Sequence, residues 1–178
     1  METNLNSILG DSINKDLNDF FSNSNFKLSY VSNNEQDTTL LAKHFAKFLK
    51  KDDIVVLNGD LGVGKTLFVS GLADFFEISN QVSSPTFTIV NEYNIHNEII
   101  SKNCNTNNIF HFDVYRLNDS TDFLNSVGNE YFTNGICIIE WGNIIEDILP
   151  SNTIFIDISK SEDNENLRYI TLTKGGQK

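Results

Sequence analysis

The amino-acid sequence predicts an α/β fold in which a central, mostly parallel sheet is flanked by helices and extended by antiparallel strands. Residues 54–59 form a continuous apolar run that ends in glycine, as is typical of a strand buried on both faces. Strand-like and helix-like segments then follow one another, the order that produces parallel strands with helical crossovers. The 178 residues suit one domain of ordinary size, and no repeat or interdomain linker is visible.

The segments before this apolar run predict an extension followed by the first strand and helix of the domain. We expect residues 1–25 to form an N-terminal extension, either a short helix or a disordered segment, and residues 26–178 to form the domain. The helical alternative depends on apolar residues at helical spacing, namely Leu9, Ile13, Leu17, Phe20 and Phe21. Residues 26–32 have β character, and residues 38–50 carry apolar side chains along one helical face.

The segments after the apolar run predict the rest of the sheet. A helix is expected from about Lys65 to Phe76. Residues 86–95 and 108–117 alternate apolar and polar side chains, which predicts two strands joined by a long, exposed hairpin loop. The remaining predicted elements are a helix from Ser120, a strand at 135–141, a helix at 143–149 stopped by Pro150, and strands at 153–159 and 167–173.

The composition disfavours several classes of function. The formal net charge is −11, whereas broad binding of nucleic acid needs Lys and Arg to neutralise phosphates. Cys104 and Cys137 form no CxxC pair and the three histidines show no zinc-ligand spacing, so we expect two reduced thiols. No apolar run approaches membrane-spanning length, and the N-terminal stretch has neither a basic start nor an apolar core. We therefore expect a cytoplasmic protein without membrane contact.

Residues 59–66, GDLGVGKT, match the phosphate-loop template GxxxxGK[ST]. Glycines at 59 and 64 permit backbone angles that turn successive amides inward around an anion, and the following helix directs its positive end to the same place. Lys65 is expected to reach the β and γ phosphates, and the Thr66 hydroxyl to bind Mg²⁺. The motif and its flanking apolar strand and helix predict a P-loop NTPase fold, with nucleotide-binding residues Asp60, Leu61, Gly62, Val63, Gly64, Lys65, Thr66 and Leu67.

A phosphate loop also needs an acid at the end of a nearby strand to hold the metal and its water. Asp113, Glu140 and Asp157 each end an apolar strand-like segment. Glu140 ranks first because its segment is the unbroken apolar run expected of a central parallel strand. Asp113 ranks second because a polar residue interrupts its segment, and Asp157 ranks third because it lies near expected antiparallel edge strands.

The remaining motifs limit the class of P-loop protein. The sequence has no DxxG, and NKDL at 14–17 precedes the loop, so specificity for GTP is disfavoured. A small-molecule kinase usually carries a lid with several arginines, whereas Arg116 and Arg168 are the only two here. The kinase remains an alternative, as does a binding module gated by ATP whose hydrolysis is incidental.

Five segments in order resemble the bacterial TsaE (YjeE) family, the P-loop ATPases of tRNA threonylcarbamoyladenosine (t6A) biosynthesis. They are GDLGVGKT (59–66), SSPTFTIVNEY (83–93), HFDVYRL (111–117), GNEYF (128–132) and IIEWGN (138–143). The resemblance implies ATP and Mg²⁺ as cofactors, weak hydrolysis alone, and action with a TsaD/TsaB heterodimer. That heterodimer modifies adenosine 37 of tRNAs reading ANN codons, so contact with tRNA is expected only through the complex, and hydrolysis is expected to reset the transferase.

The resemblance also implies roles for individual residues. Lys65 and Thr66 keep the phosphate and metal roles, Glu140 is similar to the Walker B metal acid, and Asp113 to a second acid needed for hydrolysis. Trp141 matches a functionally sensitive Trp, with a core anchor as the alternative. Thr38, Thr86 and Arg168 match positions near the nucleotide; their alternatives are a helix cap, part of a rigid turn and a surface arginine, respectively. The region 128–132 is expected to face the partner proteins, although Asn129 departs from the family pattern, as does the Asn-rich loop at 103–108.

Overall fold

A computed structural model describes residues 2–23, 27–78 and 82–175, with side chains from residue 10 onward. The predicted boundary at residues 25 and 26, the side chain of Leu9 and the last three residues of the predicted domain lie outside the described part. The helices are α1 (Glu2–Ser22), α2 (Glu35–Ala46), α3 (Lys65–Phe75), α4 (Glu98–Cys104) and α5 (Ser120–Ser126). The strands are β1 (Leu28–Ser32), β2 (Ile54–Asn58), β3 (Val90–Asn94), β4 (Asn108–Asp113), β5 (Ile136–Glu140), β6 (Ile154–Lys160) and β7 (Arg168–Lys174).

The seven described strands form one sheet in the order β1-β7-β6-β2-β5-β4-β3. Its four central strands, β6, β2, β5 and β4, run parallel, whereas β7, β1 and β3 pair antiparallel at the two sides. This arrangement confirms the predicted fold class. It also brings the carboxyl ends of β2, β5 and β4 together, because parallel strands end at the same edge of a sheet.

Two apolar clusters cover opposite faces of the sheet. On β2, Val55 and Leu57 face the cluster that includes α1, α2 and α3, and Ile54 and Val56 face the cluster that includes α5. The strand is therefore buried on both faces, which confirms the interpretation of the apolar run. Cys104 and Cys137 are buried free thiols, and burial raises the pKa of Cys137 to about 12.

Helix α1 packs on α2 through an aromatic group. Ile13, Leu17 and Phe20 are buried, and the centroid of the Phe21 ring lies 5.4 Å from that of Phe45 on α2 and 4.9 Å from that of Phe48, just after α2. The Lys174 ammonium donates a hydrogen bond of 2.7 Å to the Phe21 carbonyl and lies 5.2 Å from the centre of the Phe20 ring. Among the described residues, no helix combines the length and the apolar character that crossing a membrane requires.

The prediction of a long loop between β3 and β4 was wrong, because the segment between these strands contains helix α4. Asn97 begins this helix by accepting hydrogen bonds from the amides of Ile99 and Ile100 at 3.0 and 3.2 Å. Seven residues give too few turns for a helical period to be recognised in the sequence. The polar composition of the segment therefore predicts a loop where the structure has a short helix.

Several predicted boundaries were also wrong. Helix α2 begins at Glu35 because Asn34 caps it, accepting from the Asp37 amide at 2.8 Å, so the cap role considered for Thr38 is excluded. Strand β3 starts only at Val90, because the Pro85 carbonyl accepts from the Ile89 amide (2.7 Å) and closes a turn. Strand β4 ends at residue 113, where the chain turns. The predicted helix at 143–149 is a 3₁₀ segment, Gly142–Ile148.

Candidate nucleotide site

The loop between β2 and α3 has the backbone geometry of an anion-binding turn. Gly59, Gly62 and Gly64 have φ angles of 130°, 76° and 112°. At Gly59 a Cβ would lie 2.1 Å from the Ile158 carbonyl oxygen, so no larger residue fits between the loop and β6. Gly64 is the residue that precedes the first turn of α3, and the free amides of that turn therefore face the loop.

Lys65 lies inside the loop with its side chain directed back onto it. Only 5 % of the residue is exposed, and its ammonium donates to the carbonyls of Gly59 (2.7 Å) and Asp60 (3.0 Å). The same ammonium lies 4.0 Å from the centre of the Trp141 ring. Burial lowers the pKa of Lys65, while nearby carboxylates, Glu140 first, oppose that change. A cation is thus held at the place where a phosphate chain would enter.

Thr66 and Glu140 are joined across the site. The Thr66 hydroxyl donates to Glu140 Oε1 at 2.9 Å, and the buried His111 Nε2 lies 3.0 Å from the same oxygen. Glu140 ends β5 directly beside Leu57 of β2, the strand that leads into the phosphate loop. Strand pairing therefore positions the carboxylate opposite the first turn of α3.

Asp113 lies next to Glu140 in the sheet but has different partners. The two residues are paired in the register of β4 and β5. Asp113 Oδ2 accepts hydrogen bonds from the hydroxyls of Ser84 (2.7 Å) and Thr86, and Oδ1 accepts from the Tyr115 amide (3.2 Å). The carboxylate therefore connects the segment around Thr86 with the end of β4.

Trp141 follows Glu140 in the left-handed conformation, with φ of 63°. Its amide donates to the Leu57 carbonyl at 3.1 Å, and its ring lies 5.0 Å from the Tyr115 ring. A non-glycine residue in this conformation carries strain, and such strain is concentrated at functional sites. The ring is half-buried and contacts the Lys65 ammonium, so it belongs to the wall of the site as well as to the packing around it.

The other residues predicted to contact the nucleotide lie on and around the phosphate loop or are buried beside Ser32. Arg168 of β7 reaches the phosphate loop, where its Nε donates to the Val63 carbonyl at 2.8 Å. Thr38 is buried, and its hydroxyl lies 2.7 Å from that of Ser32. Residues Asp60, Leu61 and Gly62 form the tip of the loop, and the Leu61 side chain is 87 % exposed. Leu67 lies in the first turn of α3, partly buried.

A metal ion at this site would have few protein ligands. The described residues contain no group of three or more His, Cys, Asp or Glu placed to hold one. Mg²⁺ suits such a site because it keeps several waters and is commonly bound by one or two protein oxygens together with phosphate oxygens. Thr66 and Glu140 are the residues that would supply those two oxygens. Asp157, the third-ranked acid, is exposed and accepts a hydrogen bond from Asn58 at 3.1 Å.

Two residues of the site were missed by the sequence interpretation. The polar residue that interrupts the predicted strand before Asp113 is His111, which lies two residues before Asp113 and so faces the same side of the sheet. That period of two was the signal that could have identified it. Lys160 ends β6, and its ammonium lies 3.8 Å from where a Cβ at Gly62 would be. A lysine near the end of a late strand gives no comparable signal.

Comparison with known proteins agrees with this geometry. The family model described as "Threonylcarbamoyl adenosine biosynthesis protein TsaE" matches residues 32–170. The tRNA threonylcarbamoyladenosine biosynthesis protein TsaE of Bacillus subtilis is 38 % identical over 153 residues, covering 85 % of this chain and 89 % of that protein. The protein of the same name from Haemophilus influenzae is 37 % identical over 141 residues, covering 76 % and 84 %.

A solved structure is similar as well. The crystal structure of YdiB from Bacillus subtilis superposes with a TM-score of 0.66 at 33 % identity, covering 86 % of this chain and 89 % of that chain. The similarity in sequence and the similarity in fold both extend over most of the molecule, which confirms the resemblance drawn from the five motifs. The chain therefore belongs to the TsaE family of threonylcarbamoyl adenosine biosynthesis proteins.

Proposed function

We propose that this protein binds ATP with Mg²⁺, hydrolyses ATP slowly on its own, and acts with TsaD and TsaB in forming t6A at adenosine 37 of tRNAs that read ANN codons. The observation that carries the proposal is the hydrogen bond from Thr66 Oγ1 to Glu140 Oε1, 2.9 Å long. It joins the helix of the phosphate loop to the acidic end of the neighbouring strand. A hydroxyl and a carboxylate placed in this way fit one octahedral Mg²⁺ whose other ligands are phosphate oxygens and water.

The residues of the loop fit a triphosphate. Inward-facing amides, the N-terminus of α3 and the Lys65 ammonium give the loop a positive potential within an acidic chain. When bound, ATP supplies a phosphoanhydride bond and Mg²⁺ neutralises charge on its phosphates. Lys65 then serves as a point charge for the β and γ phosphates, and Arg168 stabilises the loop by holding the Val63 carbonyl.

Asp113 is the proposed acid for hydrolysis. Its carboxylate is available to accept a hydrogen bond from the attacking water, which orients that water. Because Thr86 and Ser84 donate to Asp113, a shift of the Thr86 segment on contact with the γ phosphate would also move the carboxylate. Hydrolysis would in this way be sensitive to any partner that fixes the Thr86 segment.

The partner proteins, rather than this chain, are proposed to bind tRNA. A formal net charge of −11 opposes direct contact with a polyanion. Near the site, Phe87 and Leu61 are each 87 % exposed, and exposed apolar side chains of this size favour contact with another protein. ATP hydrolysis would then reset the TsaD/TsaB transferase between turnovers.

The test is the t6A content of tRNA in cells that carry Lys65→Ala. A marked loss of t6A is expected, and Lys102→Ala, which removes an exposed lysine of α4, serves as the matched control. Normal t6A with Lys65→Ala would contradict the proposed role. With purified proteins, Mg²⁺-dependent release of phosphate should rise when TsaD and TsaB are added.

The same assays separate the alternatives. Transfer of phosphate to a small molecule in place of water would identify a kinase. If Glu140→Ala abolished hydrolysis while t6A stayed normal, the protein would be a binding module gated by ATP.

A further inference from the structure

One buried side chain of the site has no part in the function proposed so far. His111, on β4, has no exposed surface, and its Nε2 lies 3.0 Å from Glu140 Oε1. Its other ring nitrogen, Nδ1, has no hydrogen-bond partner among the described residues. Leaving a buried polar atom unpaired costs about 1–3 kcal/mol, so a histidine here is unfavourable for packing alone.

The contact determines which nitrogen carries the proton. With the proton on Nε2, the ring donates to the carboxylate and leaves only a lone pair unmatched at Nδ1. With the proton on Nδ1, two lone pairs would face each other across 3.0 Å and a buried N–H would have no acceptor. The Nε2–H tautomer is therefore the one that fits. The Tyr93 ring lies at 25° to the imidazole, with 6.5 Å between the ring centroids.

This donation affects how Glu140 is presented. Both hydrogen bonds of the carboxylate, from Thr66 at 2.9 Å and from His111 at 3.0 Å, arrive at Oε1. They come from different elements, α3 and β4, so together they fix the rotation of the carboxylate. Oε2 accepts no hydrogen bond from the described residues, which leaves this oxygen for the metal or its water.

We propose that His111 is a positioning residue that donates through Nε2 to Glu140 Oε1 and holds the carboxylate in the orientation that binds Mg²⁺. The inference rests on the proposed function of Glu140 as the metal acid. Outer partners that orient a metal-binding carboxylate are commonly worth 10–100-fold in metal affinity. His111 contacts neither ATP nor the metal in this role.

The tautomer can be tested directly by ¹⁵N NMR of the histidine rings in the full-length, nucleotide-free protein. A protonated Nε2 is expected at His111, and the assignment comes from comparison with a His111→Gln sample. An unprotonated Nε2 would overturn the proposal. This measurement needs neither metal nor activity, so its outcome does not depend on whether the proposed function is correct.

Two amide variants then test the function. Gln places an amide N–H near the position of Nε2, whereas the shorter Asn does not reach it, although both are buried polar replacements. The measurements are the affinity of each protein for ATP in EDTA and the affinity of the ATP-loaded protein for Mg²⁺. His111→Asn should weaken Mg²⁺ binding by about tenfold or more with unchanged ATP affinity in EDTA, and His111→Gln should restore it.

The outcomes distinguish this inference from the proposed function. If the unmutated protein binds Mg²⁺ in the presence of ATP and both variants bind it equally well, the positioning role of His111 is overturned and the function stands. If Glu140→Gln leaves Mg²⁺ binding intact as well, the assignment of Glu140 as the metal acid fails. Equal loss of ATP affinity in EDTA for both variants would indicate a structural role only and would also overturn the proposal.

Discussion

Asp113 and Glu140 are neighbours in the sheet, yet their surroundings suit them to different tasks. Glu140 receives its hydrogen bonds from a phosphate-loop residue and a buried histidine. Asp113 receives its bonds from two hydroxyls of the segment before β3 and from the Tyr115 amide. One carboxylate is therefore tied to the proposed phosphate loop, and the other to the segment that contains Ser84 and Thr86.

Asp113→Asn should separate hydrolysis from binding. The amide keeps the size of the side chain but accepts hydrogen bonds more weakly than a carboxylate, so we expect ATP affinity to stay nearly unchanged. The rate of phosphate release should fall by about 10²–10⁴-fold, the usual contribution of a positioned acid or base. Asp157→Asn is the control, because Asp157 lies exposed in the middle of β6 rather than at the strand end predicted from the sequence, and it should leave both quantities unchanged. An unaltered rate with Asp113→Asn would exclude the role in hydrolysis.

How much of the site the sequence predicts depends on whether a residue belongs to a local motif. The loop from Gly59 to Thr66 is recognisable because its amides, glycines and lysine are adjacent in the chain. Glu140 could be ranked above Asp113 because the apolar run before it indicates a central strand. The period of two places His111 on the same face as Asp113, but its contact with Glu140 could not be predicted, since Glu140 is 29 residues away and meets it only through the pairing of β4 with β5.

Asp53 gives a prediction for stability against pH. Burial raises the pKa of this carboxyl, and the Lys50 amide and the charges of Lys174 and Lys50 oppose that shift. Between the unfolded pKa, about 3.9, and the raised folded pKa, the folded state binds more protons than the unfolded chain. The contribution of Asp53 to the free energy of unfolding therefore falls as the pH rises through that interval.

Asp53→Asn should consequently be more stable than the unmutated protein at neutral pH. The amide can still accept from the Lys50 amide, an interaction of 2.7 Å in the unmutated protein, without burying a charge. The difference in the free energy of unfolding between Asp53→Asn and the unmutated protein should shrink as the pH is lowered toward 4. Urea unfolding at several pH values measures this difference. Asp74→Asn, on the exposed face of α3, gives the background effect of removing one carboxylate. A less stable Asp53→Asn at neutral pH would show that the attractive charges outweigh burial.

Helices and strands with a long, periodic apolar pattern were predicted correctly from the sequence. The predictions were wrong where a single polar contact starts or ends an element. The buried strands β2 and β5 and the helix after the phosphate loop were predicted correctly, because each has a sustained apolar pattern. Helix α4 was missed because one asparagine cap starts it, and the start of β3 was misplaced because a turn at Pro85 precedes it. Such contacts leave little trace in hydrophobic periodicity.

Helix α1 lies before the region matched by the family model, which starts at residue 32, yet it contributes to the core. Phe20→Ala should lower the free energy of unfolding by about 3–5 kcal/mol, because the Phe20 ring is fully buried. Phe87→Ala is the matched control. Its ring is 87 % exposed and lies 5.1 Å from the Arg116 guanidinium, so its removal should cost less than about 1 kcal/mol. Chemical denaturation measures both. Equal, small costs would mean that α1 does not pack stably on α2.

For the whole molecule, the position of the phosphate loop connects the site to most of the sheet. The loop follows β2, approaches the backbone of β6 at Gly59, receives Arg168 of β7 and faces Glu140 of β5. The fold class was predictable because alternating strands and helices produce a parallel sheet with helical crossovers. The contact of Arg168 with the loop was not, because it depends on how the antiparallel strands β6 and β7 return to the site.

Binding of ATP with Mg²⁺ should therefore stabilise the domain as a unit. A ligand that binds only the folded state adds RT ln(1 + [L]/Kd), about 2.7 kcal/mol at a concentration of 100 Kd. Lys65→Ala should lose this gain, whereas Lys102→Ala, which removes a lysine from an exposed ion pair of 3.8 Å, should keep it. Urea unfolding with and without ATP and Mg²⁺ measures the gain, and hydrogen exchange shows where it appears. Protection confined to the loop, with no rise in the free energy of global unfolding, would mean that the site opens independently of the sheet.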